Sequence, residues 1–184
     1  QILYFRENHL TEFPEEIGRM GRLGMLDLSV NDISGTLPDL SANTGFTPEE
    51  LYFDDNAITG FEGDAFCSLA DLDAFSISYN KLTRFPNIFT SDKNAYVMSS
   101  INVAHNEITT MAPETGAFNG FRSKALTLSG NPIKTYPKEI AESNSYVEQI
   151  VMQQCGLTEF PEGCLKSDYS MSITTLDLQY NNLS

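Results

Sequence analysis

The sequence is poor in basic residues, with 11 lysines and arginines against 25 aspartates and glutamates and a net charge of −14. Such a charge repels nucleic acids and anionic membranes at long range. We therefore expect neither as a partner, although an acidic surface is compatible with basic partners. No apolar run approaches the length of a membrane span, so no transmembrane segment is expected.

Histidine and cysteine are scarce as well, which removes the commonest catalytic and metal-binding patterns. The two histidines, His9 and His105, are far apart in the sequence, and no pair of His or Cys has zinc spacing. The three cysteines, Cys67, Cys155 and Cys164, show no obvious pairing. No glycine-rich phosphate loop follows a strand pattern. The sequence thus predicts no catalytic residue, no metal site and no cofactor.

What the sequence does contain is one pattern that recurs eight times: apolar, any, apolar, two of any residue, Asn, any, apolar. The first copy runs from Leu3 to Leu10 and the last from Leu176 to Leu183. Successive copies are 23 to 26 residues apart, and this period indicates small units stacked on one another. The Asn position falls at Asn8, Asn31, Asn56, Asn80, Asn106, Asn131, Cys155 and Asn181.

The spacing has a direct physical interpretation. Two apolar residues separated by one residue point to the same face of a short strand, and the residue between them points to the other face. The Asn then lies in a turn, where its amide can bond backbone groups that strand pairing cannot reach. We call the stacked column of these residues the Asn ladder. Cys155 is its one replacement, and we expect a buried, inert thiol there.

A second apolar column follows the ladder and is predicted to fill the core. Its members are Phe13, Phe61, Phe85, Met111, Tyr136 and Phe160, with Leu37 one residue late. Proline often comes next and suits the first position of a short helix. Short helices or 3-10 turns are therefore predicted on the outer side, most clearly at Pro14–Met20, Asp64–Leu72 and Pro137–Ser143. Lengthened loops are predicted at Ser34–Pro48, Ser91–Ser99 and Ser143–Tyr146.

Stretches such as Leu23–Gly35 and Asn80–Pro86 resemble the leucine-rich-repeat superfamily, and the resemblance covers essentially the whole chain. It implies an α/β repeat solenoid of about eight repeats with a period near 25 residues. The expected shape is a curved, right-handed horseshoe with a parallel sheet on the concave side. Loops, 3-10 turns or short helices would form the convex side. The resemblance also implies recognition of proteins, peptides or glycans on the concave face, and no common catalytic site.

The short Asn-x-Leu-Thr-x-Phe-Pro segments are most similar to bacterial cell-surface or secreted members of that superfamily. We accordingly expect an extracellular or cell-surface location, with the cytoplasm also compatible. Residues 1–184 are expected to form a single domain that is a segment of a longer protein, because no terminal caps are evident. The alternative is that a partner covers the ends, and self-association, end to end or through the concave face, is a separate possibility.

The candidate binding residues are those that alternate outward along the middle strands. They are polar or aromatic, and Tyr with acids and amides suits protein or carbohydrate contacts. The predicted ligand-binding residues are Tyr52, Asp54, Asp55, Ser76, Ser78, Tyr79, Asn102 and His105. The carboxylates of Asp27, Asp54 and Asp55 form a cluster, but they do not guarantee the six oxygens that Ca²⁺ requires.

Three functions remain open at this point. The first is a non-catalytic module that binds a protein or glycan on its concave face. The second is the substrate-targeting arm of a larger enzyme or effector whose catalytic domain lies outside these residues. The third is a structural spacer, for which substitutions on the concave face would affect no interaction.

Overall fold

Each copy of the repeat pattern contributes one strand to a parallel sheet. The structure, a computed structural model, describes residues 1–39, 45–62, 71–86, 97–111, 122–137, 140, 146–160 and 173–184. Its strands are β1 Ile2–Tyr4, β2 Met25–Asp27, β3 Ser34–Leu37, β4 Glu50–Tyr52, β5 Ala57–Phe61, β6 Ala74–Ser76, β7 Met98–Asn102, β8 Arg122–Thr127, β9 Tyr146–Val151 and β10 Thr175–Asp177. Eight of them form one sheet in the order β1-β2-β4-β6-β7-β8-β9-β10, with every pairing parallel. The predicted parallel-sheet solenoid is confirmed.

The register of this sheet brings equivalent positions of the pattern side by side. One row crosses all eight strands and consists of Leu3, Leu26, Leu51, Phe75, Ile101, Leu126, Ile150 and Leu176. The six inner members are buried, while those on the edge strands are partly buried. Burying each such side chain contributes roughly 1.5–3 kcal/mol. The apolar row therefore fixes both the register and the core-facing side of the sheet.

A second, two-stranded sheet joins β3 and β5 in parallel. The sequence analysis treated Ser34–Pro48 as a loop because serine, glycine and proline are typical of loops. That prediction is wrong for Ser34–Leu37. Once the turns stack, β3 lies beside the equivalent residues of the next turn, and their backbone groups can pair.

Strands β7, β8 and β9 are longer than the three-residue apolar-any-apolar pattern indicates. β7 begins at Met98 and β9 begins at Tyr146, so the loops predicted to extend to Ser99 and Tyr146 end earlier. The described contacts explain the difference at β7, because the Ser99 amide donates to the carbonyl oxygen and to Oδ1 of Asp73, at 2.8 and 3.0 Å. An extra anchored residue extends the pairing toward the strand's start.

On the outer side, Glu15–Arg19 forms a 3-10 helix, which confirms the prediction for Pro14–Met20. Its first turn carries two glutamates and its last turn an arginine, charges that stabilise the ends of a helix. The predicted helices at Asp64–Leu72 and Pro137–Ser143 fall largely outside the described residues. No helix in the described part of the chain is long and apolar enough to cross a membrane.

The second apolar column lies in the core with one exception. Phe13, Leu37, Phe85 and Met111 are buried, as predicted, and Phe13, Phe53, Phe75 and Phe61 form a chain of tilted ring contacts at 6.3 to 6.4 Å. Phe160, however, is 51% exposed, so the prediction that it fills the core is wrong.

Candidate functional site

The Asn ladder holds the turn at which every strand of the large sheet ends. In the middle of the stack, the Asn80 amide donates to the carbonyls of Phe53, Ile77 and Ser78, at 2.9, 3.3 and 3.1 Å. Its Oδ1 accepts from the backbone N–H of Ile58, at 2.9 Å. Asn31, Asn56 and Asn106 repeat this arrangement. Each of these four asparagines thus ties its own turn to the one before it.

The residue before each ladder position adopts a left-handed backbone conformation. The φ angles lie between 53° and 72° for Glu7, Val30, Asp55, Tyr79, His105, Gly130, Gln154 and Tyr180. Only one of these eight is glycine, although a positive φ costs other residues free energy. The ladder turn imposes this conformation, and the resulting side chains form a row along one edge of the sheet.

Two members of that row, Tyr79 and His105, stack on each other. Their ring centroids are 4.3 Å apart and their planes differ by 12°. Tyr79 is 53% exposed and His105 is half-buried. The next member is Gly130, and the imidazole occupies the space above it. Tyr79 and His105 therefore form a stacked, partly exposed aromatic pair beside Gly130, here called the aromatic platform.

The side of the large sheet opposite the core is termed the open face, and its central row is Tyr4, Asp27, Tyr52, Ser76, Asn102, Thr127, Val151 and Asp177. On this face the side chain of Asp54, which follows β4, accepts hydrogen bonds from residues of the next repeat. Its Oδ1 accepts from Ser76 Oγ at 2.5 Å and from the amide and Oγ of Ser78, each at 2.6 Å. Three of the predicted site residues are thus one hydrogen-bonded group.

Tyr52 lies beside this group and bonds a carboxylate that the predicted site did not include. Its hydroxyl donates to Oε2 of Glu50 at 2.7 Å. Burial raises the pKa of the Tyr52 hydroxyl well above its ordinary value, and the bond to Glu50 and the charges of Glu50, Asp27 and Asp54 raise it further. The hydroxyl therefore stays protonated and works as a donor. Glu50 could have been found, because it precedes Tyr52 by two residues on the same face of the strand.

The remaining predicted residues do not join one cluster. Oδ1 of Asn102 accepts from the amide of Ala104 at 3.1 Å, as Oδ1 of Asp27 does from Ser29 and Oδ1 of Asp177 from Gln179. These side chains accept hydrogen bonds from backbone amides of the turn. In a regular parallel sheet those amides would donate to carbonyls of the preceding strand, but the ladder side chains already donate to those carbonyls. Asp55 is exposed, with its side chain free of bonds to the described residues.

The ladder is interrupted where Cys155 replaces Asn. The thiol is buried, with Sγ 3.4 Å from the carbonyl of Leu128, and burial raises its pKa. Sulfur does not accept from the Ile133 amide as Asn Oδ1 accepts from the equivalent amide elsewhere. That amide instead donates to the carbonyl of Asn131, two residues back, at 2.8 Å. A tight turn follows, with Lys134 at a φ of 66°. Cys67 and Cys164 lie outside the described residues.

The chemistry available on the open face is hydrogen bonding and aromatic contact. Within the described residues, no group of three or more His, Cys, Asp and Glu side chains could hold a metal ion. Nδ1 of His9 lies 3.2 Å from Oδ2 of Asp32 on the surface, and His9 is distant in the sequence from His105.

The sequence analysis also missed a second tyrosine–glutamate hydrogen bond, which lies on β9. The hydroxyl of Tyr146 donates to Glu148 at 2.7 Å, and the guanidinium of Arg122 on β8 lies over the Tyr146 ring.

Comparison with solved structures identifies this geometry. A leucine-rich repeat protein from Bacteroides eggerthii superposes on 100% of the chain with a TM-score of 0.86 and 30% sequence identity. The chain has the leucine-rich-repeat fold. The leucine-rich-repeat ectodomain of the Arabidopsis thaliana membrane receptor kinase GASSHO1/SCHENGEN3 also matches, over 98% of the chain, with a TM-score of 0.61 and 22% identity.

These leucine-rich-repeat structures are much longer than the chain, which spans 31% of the Bacteroides protein and 21% of the plant ectodomain. The plant ectodomain was solved in complex with CASPARIAN STRIP INTEGRITY FACTOR 2. No protein-family model matches the sequence, and a search of curated proteins gave no match. The comparisons therefore establish the fold and the family resemblance predicted from the Asn pattern.

Proposed function

We propose that this leucine-rich-repeat chain is a non-catalytic binding module that recognises a protein or peptide on the open face of its sheet. The observation that carries this proposal is the stacked pair Tyr79 and His105, which presents aromatic surface to solvent next to a polar row. Aromatic side chains with nearby hydrogen-bonding groups are enriched where proteins contact one another.

The open face is pre-organised, which favours binding. Ser76 and Ser78 both donate to Asp54, Tyr52 donates to Glu50, and the ladder fixes the turn beside them. A side chain that is already ordered loses little conformational entropy when a partner docks. Less of the free energy gained from contacts would therefore be offset by the entropy cost of ordering these side chains, which raises the affinity.

The family supports the same choice of face. We propose that the sheet curves into a horseshoe with the open face on its concave side, so that a partner contacts several strands at once. A cell-surface or secreted location and a glycan as the ligand belong to the same proposal, because the bacterial relative and the receptor ectodomain share the fold. Binding by the plant ectodomain shows that this fold can present a ligand surface.

The alternative is a targeting arm for catalysis carried elsewhere in a longer protein. The short span of the chain relative to both structural neighbours is compatible with it. The open face would still be the recognition surface, and the partner would then be a substrate. Both functions thus make the same prediction for substitutions on this face.

The test is capture of partners from surface extracts and extracellular proteins, compared between the wild-type chain and Tyr52→Ala/Tyr79→Ala. The matched control is Tyr4→Ala/Tyr180→Ala, because these tyrosines are exposed on the edge strands and their loss removes the same chemical groups. We expect the first variant to lose the partner and the control to keep it. Equal retention by both variants would contradict a central open-face site and favour a spacer.

A further inference from the structure

Across β2, β4, β6 and β7 the open face is acidic and carries no lysine or arginine. The outward positions on β2, β4, β6 and β7 and in the turns after them are Met25, Asp27, Ser29, Val30, Glu50, Tyr52, Asp54, Asp55, Ala74, Ser76, Ser78, Tyr79, Ser100, Asn102, Ala104 and His105. Four of the sixteen are carboxylates, and none is lysine or arginine. Glu50, Asp27, Asp54 and Asp55 together are called the acidic patch.

Among the described residues, no basic side chain forms an ion pair with the acidic patch. The ion pairs among the described residues join Arg6 to Glu7 and His9 to Asp32, and neither involves the patch. The patch carboxylates accept only uncharged donors, namely hydroxyls and amides. Such bonds orient a carboxylate but leave its negative charge, so the patch attracts a cation from outside.

The negative charge of the acidic patch also raises the pKa of Tyr52. Its pKa is raised by burial and by the combined effect of Glu50, Asp27 and Asp54, three carboxylates on two neighbouring strands. Strands in a sheet lie about 4.8 Å apart. One extended basic side chain laid across β2 and β4 could therefore reach carboxylates on both strands.

The buried hydroxyl of Ser29, next to the acidic patch in the sheet, has no hydrogen-bond partner among the described residues. Ser29 is 1% exposed, and its Oγ has no hydrogen-bond partner in the described structure. Ser29 occupies the same outward position in its repeat as Asp54 does in the next one. Its backbone amide donates to Oδ1 of Asp27. On the opposite side of Asp54, the equivalent Ser78 hydroxyl does bond that carboxylate. Unpartnered buried polar groups are uncommon, and this one belongs to a residue that bonds Asp27 through its backbone and lies beside Asp54 in the register of the sheet.

The aromatic platform continues the patch toward the middle of the sheet. Tyr79 follows Asp55 in the left-handed row, on the next strand, and is 53% exposed. The face of an aromatic ring attracts guanidinium and ammonium groups. Carboxylates on β2 and β4, followed by an exposed ring after β6, form a surface that suits a basic segment.

From this charge complementarity we propose that the occupant of the open face is a lysine- or arginine-bearing segment of a protein partner, docked across the acidic patch and Tyr79. The inference rests on the proposed function and gives its partner a chemical class. An acidic peptide would meet the negative charge of four carboxylates and would be repelled from this position.

Three dye-labelled peptides of equal length test the proposal, with lysine, glutamine or glutamate alternating with serine. Binding to the full chain is measured by fluorescence anisotropy over a range of salt concentrations. We expect saturable binding of the lysine peptide alone. Glu50→Gln/Asp55→Asn should weaken it by about tenfold, and Glu12→Gln/Glu107→Gln, which changes net charge equally but off the open face, by much less.

Equal loss in the two double variants would mean nonspecific attraction to an acidic protein and would overturn the proposal. Absence of saturable lysine-peptide binding, or equally tight binding of the glutamine peptide, would overturn it as well. These outcomes would leave the proposed function standing if Tyr52→Ala/Tyr79→Ala still loses its captured partner. Circular dichroism of each variant excludes unfolding as the cause of a loss.

Discussion

A Cβ atom placed on Gly130 would lie 2.4 Å from Nδ1 of His105. The imidazole therefore stacks on Tyr79 only because the following turn has no side chain at that position. Seven other residues in the same left-handed row are not glycine, so the backbone conformation alone does not demand it. The absence of a side chain at Gly130 is what makes room for the aromatic platform.

Gly130→Ala should displace His105 and lower the free energy of unfolding by about 2 kcal/mol, through a positive φ and a lost ring contact. Gly156→Ala is the control, because Gly156 has the same φ of 72° and its nearest neighbour is 3.9 Å away. We expect the control to cost about 1 kcal/mol in urea unfolding. Equal costs would show that the imidazole moves freely and that the platform is not held in place.

The ladder predicts a difference between the middle of the stack and its first turn. Asn106→Ala removes three donated bonds and one accepted bond at a buried position, and should cost about 2–4 kcal/mol of stability. Asn8→Ala removes two bonds at an exposed position and should cost less than about 1 kcal/mol. Chemical denaturation of both variants measures this. Similar losses would mean that the ladder does not stabilise the stack cooperatively.

Cys155→Asn should repair the break in the ladder. An Asn at this position offers Oδ1 to the Ile133 amide and can donate to the Leu128 carbonyl that now faces sulfur. We expect about 1 kcal/mol of added stability and slower hydrogen exchange at the Ile133 amide. Cys155→Ala provides the comparison, since it removes the sulfur without adding an acceptor. If the Asn variant were the less stable of the two, the tight turn at Lys134 would be a required feature rather than an adjustment.

The raised pKa of Tyr52 makes stability depend on alkaline pH. A pKa above the unfolded value of about 10 contributes stability that is present at lower pH. This contribution falls as pH rises past about 10, where the unfolded chain ionises first. Tyr52→Phe should reduce the fall measured between about pH 8 and pH 11. In Glu50→Gln the tyrosine should ionise at a lower pH than in the wild type, as followed by ultraviolet titration. Unchanged ionisation would mean that Glu50 does not hold the hydroxyl.

The fold was largely predictable because the repeat carries its own register. The apolar row from Leu3 to Leu176 and the Asn at each turn are fixed by local spacing, so stacking needs no long-range information. The second sheet was missed because β3 and β5 carry no alternating apolar pattern and pair only after the turns have stacked. Phe160 has the same spacing from its ladder residue as the buried Phe13 and Phe85, so the pattern does not distinguish its exposed side chain from theirs.

The candidate site was predictable in position but not in bonding. Alternation along the strands identified Tyr52, Asp54 and Tyr79 as outward residues. The bond of Asp54 to two serines and that of Tyr52 to Glu50 depend on rotamers, which a sequence pattern does not contain. The use of Asn102 to hold a turn amide has the same origin.

The most direct test of the binding account is hydrogen exchange of the chain with and without its captured partner. The account predicts slower exchange of amides in the turns after β4, β6 and β7, from Asp54 to Asn56, Ser78 to Asn80 and Ala104 to Asn106. The 3-10 helix at Glu15–Arg19 should exchange at the same rate in both states. Protection of that outer helix with no change in the three turns would contradict recognition by the open face.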